Sequence, residues 1–177
     1  ISFAAALGIF LIVSLILALL IFPKAKSVLE RIDITYAQAK KLESTLSDKK
    51  DLKQAEVELL NLKKELSSTK SEYTKLSFLK FIPIAAGYYS DGTHLLNAAD
   101  VGVDLGDKSL LAFEPFSAIL GFKSAEKEVD AEEKAQKIVK EVIPQLIPLV
   151  DEIETGVNRI KKEVDQIDIN RYPAGVE

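Results

Sequence analysis

Apolar and polar positions follow three regimes along this chain of 177 residues. Residues 3–22, FAAALGIFLIVSLILALLIF, are uncharged throughout, with only Gly8 and Ser14 diluting the run. Twenty residues at about 1.5 Å each reach roughly 30 Å, the thickness of a hydrocarbon core. The run predicts a single transmembrane helix whose membrane-spanning residues include Phe3, Leu7, Phe10, Leu11, Leu15, Leu19 and Phe22. It exceeds the apolar core of a cleaved signal peptide. Pro23 is expected to end it, because proline lacks the helical N–H and disfavours helix in the residue before it.

A second regime begins at Lys24. Val28, Ile32, Ala39, Leu42 and Leu46 recur at helical spacing, and SDKKD at 47–51 then breaks the stripe. Beyond it Leu52, Ala55, Leu59, Leu62, Leu66, Thr69, Tyr73 and Leu76 step by three and four, a heptad seam. Continuing the first stripe would place it on Lys49, Lys50 and Lys53. A turn at 47–51 is therefore favoured over one long stuttered helix, with Ser47 or Asp48 as the next N-cap. The result is a helical hairpin whose second arm returns toward the membrane. FLKFIPIAAGYY would then lie at the bilayer surface, with Phe78, Lys80, Phe81, Tyr88 and Tyr89 as interfacial residues. A buried turn between two helices, punctuated by Pro83 and Gly87, is compatible with the same stretch.

The third regime is looser. Residues 88–122 suggest a helix face interrupted by Gly92, Gly102 and Gly106, with Gly121 as a helix stop. From Lys123 onward a polar start leads into Ile138, Val142, Leu146, Leu149, Ile153, Val157, Ile160, Val164 and Ile167 at steps of three and four. Val142, Leu146, Ile153, Val157, Ile160 and Val164 join Leu52, Leu59, Leu62, Leu66, Tyr73 and Leu76 as predicted helix-packing residues. Pro144 and Pro148 predict a kink. No segment alternates as a strand would. The fold class is all-α: an anchor (1–23), a hairpin with a heptad seam (24–80), an apolar helical connector near the membrane (81–122) and a long amphipathic helix kinked near 144–148 (123–177), the soluble parts forming an elongated bundle with coiled-coil-like packing.

Charge refines this picture. Residues 24–80 hold 13 Lys and Arg against 9 Asp and Glu, a net of +4; residues 81–177 hold 10 against 18, a net of −8. Two solvated mixed-charge surfaces account for this most simply; a basic membrane-proximal half also suits anionic headgroups or packing against the acidic half. No basic cluster interleaves with aromatics, so nucleic-acid binding is not expected. Cysteine is absent, which excludes disulfides and thiolate chemistry. His94 has Ser90, Asp91 and Asp100 nearby in sequence, but it reads as a bundle or surface histidine rather than a triad member. Asp91, Asp100, Asp104 and Asp107 miss the alternation of a calcium loop. No phosphate-binding glycine loop is present. Catalysis, cofactors, metals and a small-molecule substrate are thus not expected. The chain starts at Ile1 and stops at YPAGVE, and reads as a window onto a longer protein.

Pro83, Gly87, Tyr89 and Asp91, followed by Leu95, Leu96 and Ala98, give a P-x-x-x-G-x-Y-x-D stretch ahead of an Ala-rich helix. This resembles the N-terminal region of bacterial envelope proteins of domain-of-unknown-function family 4012, over roughly residues 20–170. The resemblance implies a single-pass protein of the plasma (inner) membrane, with its C-terminal part outside the cytoplasm, and carries no catalytic residues. Orientation is not fixed by Lys24 and Lys26 alone, since Glu30 and Asp33 follow. The expected role is a membrane-anchored stalk or scaffold that positions a further domain, contacting the lipid bilayer and either protein partners or further copies of itself. The alternatives are a transmembrane sensor and an accessory subunit of an envelope enzyme or transporter.

Overall fold

The computed structural model describes residues 3–122 and 135–172, with side chains from Ile21 onward. Four long helices carry the fold: α1 (Phe3–Ser44), α2 (Leu52–Thr74), α3 (Pro83–Phe113) and α4 (Ile143–Val164). No strand occurs among the described residues. The side chains of Phe3, Leu7, Phe10, Leu11, Leu15 and Leu19 lie outside the described ones. Among the described residues no helix is long and apolar enough to cross a membrane.

Pro23 does not end the first helix, contrary to the sequence reading. The α1 backbone runs through it to Ser44. One proline removes one hydrogen bond and crowds one carbonyl, and the turns that follow are held by packing against α2. Val28 buries beside Leu76, Thr35 Oγ1 meets Thr69 Oγ1 at 2.8 Å, and Arg31 pairs with Glu65 at 3.3 Å.

The hairpin reverses as expected, and the alternative of one long helix is overturned. Its cap is three residues later than predicted at the latest candidate. A π-helical turn spans Thr45–Lys49, Lys50 adopts a left-handed conformation at φ 52°, and Asp51 caps α2 by accepting from the Gln54 N–H at 3.0 Å. Neither Ser47 nor Asp48 is the cap; both hydroxyl and carboxylate stay in the turn, bonded to each other.

The α2 seam packs as its period predicts. Leu52, Leu59, Leu62, Leu66 and Leu76 are buried, with Tyr73 half-buried. Residues 81–122 are more ordered than a connector: after a 3₁₀ turn at Ser77–Phe81, α3 runs unbroken past four glycines for 31 residues. Its far end reaches the hairpin tip, where Leu110 buries against Leu52 and Phe113. A single turn at Ser117–Leu120 then stops at Gly121, left-handed at φ 83°.

In α4 the predicted seam is partly displaced. Val142 and Leu149 bury, and Leu146 and Ile160 are half-buried, but Ile153, Val157 and Val164 are exposed. Gly156 takes the central buried position instead, because a side chain there would overlap Leu105. The irregularity expected at 144–148 sits upstream, as a π-helical turn over Ile138–Val142; the helix continues through Pro148 and ends at Val164. Residues 123–134, the predicted polar start of this helix, lie outside the described ones.

Among the described residues, the extensive helix contacts are α1 with α2, α2 with α3, and α3 with α4. The helices lie side by side in one open layer.

Candidate functional site

Two features stand out: a polar clasp at the base of the layer, beside Lys24, and an apolar slot above it.

At the base, Val28, Leu76 and Tyr89 form a small core with Tyr73, Phe78 and Leu79 packed around it. Tyr73 and Tyr89 stack with ring centroids 4.8 Å apart at 13°, and the Tyr73 hydroxyl donates to the Tyr89 carbonyl at 2.7 Å. Burial pushes the Tyr73 hydroxyl up to about 12. Asp91 lies two residues on, about half a turn round α3, and is fully buried. Arg171 Nη1 lies 2.7 Å from each of its oxygens, and the Tyr172 hydroxyl donates to it at 3.2 Å. Burial alone would raise the Asp91 carboxyl; the hydrogen bonds from Arg171 and Tyr172 outweigh it and hold the group below its ordinary value. The clasp closes with the Tyr88 hydroxyl donating to the Arg171 carbonyl at 3.0 Å and the Tyr88 and Tyr172 rings edge-on.

The P-x-x-x-G-x-Y-x-D residues converge here. Pro83 opens α3 in its first turn. A Cβ on Gly87 would overlap the Arg171 guanidinium, and one on Gly92 would overlap the Tyr73 hydroxyl. Arg171 and Tyr172 were not legible as partners. The available signal was Asp91 itself, an acid sharing a helix face with Tyr88, Leu95 and Ala98 and so in need of a cation.

The predicted interfacial residues divide. Phe81 is 87% exposed and Ile84, beside it, 85%. Tyr88 is partly exposed, and Lys80 lies over the Tyr89 ring at 5.2 Å. Phe78 is half-buried beneath Lys24 Nζ, 5.1 Å from its ring centre. Tyr89 is no surface residue at all: it is buried in the stack, because its ring completes the core that joins α1, α2 and α3. Phe22, at the end of the uncharged run, is 73% exposed.

Above the base, α1 and α3 flank α2 and leave a slot of about 690 Å³ between them. Its walls include Ile32 and Ala39 of α1, Leu62 and Leu66 of α2, and Ala99 and Gly102 of α3. The opposite side of the layer is charged. Lys63 Nζ meets Asp107 at 2.6 Å, Lys70 pairs with Asp100, and Lys108 meets Glu152 at 2.9 Å. Asp104 belongs to this ion-pair face through Lys108.

His94 Nδ1 lies 2.7 Å from Glu163, so it ties α3 to α4. That contact draws the Glu163 carboxyl below its ordinary value. Among the described residues, no group of three or more His, Asp or Glu side chains is placed to hold a metal ion. No family model, curated protein or solved structure matches the chain.

Proposed function

We propose that the chain is a non-catalytic helical scaffold, tethered to a bilayer through residues 3–22 and standing on the membrane surface at its base. The observation that carries this reading is the continuity of α1. One helix leads from the uncharged run into the hairpin; Phe22, Phe81 and Ile84 are exposed, and Lys24, just after the run, lies over the Phe78 ring. Aromatic and basic side chains at that level suit the lipid interface, and Lys24 and Lys80 supply the charge. The likeness of residues 83–98 to envelope family 4012 is consistent with an inner-membrane protein that carries a further domain beyond the cytoplasm.

Flotation of the full chain with phosphatidylcholine–phosphatidylglycerol vesicles tests the tether. Leu11→Lys with Leu15→Lys should release the protein into alkaline wash, since each lysine at a helix centre costs about 2.5–3.5 kcal/mol of insertion. Phe81→Asp with Ile84→Asp should leave insertion intact but expose the base to added protease. Retention of the double-lysine variant equal to the parent would end the tether reading.

A further inference from the structure

The slot and an exposed stripe on α4 belong to one surface. Ile160 Cδ1 stands 4.0 Å from where a Gly102 Cβ would be, so α4 meets α3 at a residue that also lines the slot. Asp104 lies about half a turn round α3 from Gly102, and it shares a hollow with Thr155 and Arg159 of α4. The charged face of the layer is therefore behind, and the apolar face in front. In α4 the same division separates Thr155 behind from Val157 in front. Ile143, Val150, Val157 and Val164 recur every seven residues, and Val150 is 60% and Val157 51% exposed. Domains bury apolar faces between at least two layers; the described residues supply one.

We infer that a second copy of this chain covers the apolar face, the two layers related by a twofold axis parallel to the helices and passing over α3. The layer order decides the fit. The slot lies over α2 and the α4 ridge lies two helix positions away, with α3 between them. A rotation of 180° about an axis over α3 carries each α4 ridge into the other copy's slot, a reciprocal exchange. It sets α3 against its own twin at Ala99 and Gly102, where small side chains permit close approach. Helices about 9 Å apart make a face about 30 Å wide and about 25 Å tall, on the order of 750 Å² per copy. A stable interface takes roughly 800 Å² from each partner. The parallel orientation rests on the tether reading, because copies held in one bilayer share the membrane normal.

The chain has no cysteine, so single cysteines report cleanly. Leu95→Cys and Ala99→Cys, each in the full chain in vesicles and oxidised with copper phenanthroline, should both give disulfide-linked dimers. Thr155→Cys, on the charged face, should not. Adding Val150→Glu and Val157→Glu to Ala99→Cys should cut the dimer yield at least tenfold while far-ultraviolet circular dichroism keeps its helical signal. Absence of linkage at both α3 positions overturns the dimer, and linkage at only one overturns the parallel twofold. Flotation of the same samples separates the two readings: linkage without flotation removes the tether and leaves the dimer, whereas flotation without linkage does the reverse.

Discussion

Glu58 shows how one side chain fixes the hairpin register. It is buried between α1 and α2, yet charged. Lys41 Nζ lies 2.9 Å from one oxygen, Gln54 donates to that oxygen at 2.6 Å, and Gln38 donates to the other at 2.6 Å. The Lys41 contact, then the Gln38 hydrogen bond, bring its carboxyl from 4.5 down to about 2 against the opposing effect of burial. A group whose folded value is depressed stabilises the fold above its unfolded value and loses that contribution as pH falls toward the folded one. Melting temperature should therefore be level above about pH 4.5 and fall between there and pH 2. Glu58→Gln should flatten that slope in thermal melts followed by circular dichroism, leaving the shares due to Asp91, Glu72 and Glu163, which are also depressed. An unchanged slope would show that the carboxylate is solvated. The position was not legible as buried, because Glu58 precedes Leu59 at the edge of the seam and reads as a solvated flank. Its need for three partners on two helices appears only when the arms meet.

At the level of the helix, period was a good guide to α2 and a poorer one to α4. The α2 stripe faces α1 and α3 on adjoining sides, so one seam satisfies both. α4 has apolar residues on two faces, and periodicity cannot say which of them meets α3. Gly156 decides: Leu105 fills the space a side chain would occupy, and Val157 is turned out. Gly156→Leu should force α3 and α4 apart and cost about 1–3 kcal/mol by overpacking. This exceeds the helix-propensity gain of up to about 1 kcal/mol from losing a glycine. Urea unfolding of the variant measures the difference, and a stability equal to or above the parent would refute the close packing. The α3 helix was under-read for the opposite reason. Its glycines look like breaks, but two of them make room for Arg171 and Tyr73.

For the molecule as a whole, the sequence specified helices and the reversal near residue 50, but neither the continuity of the first helix through Pro23 nor the arrangement of the four. Side-by-side packing in an open layer depends on which apolar face finds which, and on contacts such as Asp91 with Arg171, separated by 80 positions. Pro23 misled because a proline's local cost is easily exceeded by the packing that follows it.

The clasp has a mechanical consequence. Residue 22 and residue 172 leave the described layer at the same end, with the hairpin tip at the other. Tension applied between residues 22 and 172 would load the Asp91–Arg171 pair first, before any helix seam is pulled. Removing one member of a buried pair leaves a charge stranded, so Arg171→Met should lower the first rupture force in optical-tweezer extension while the later events remain. A first event unchanged by the substitution would mean the load travels by another route.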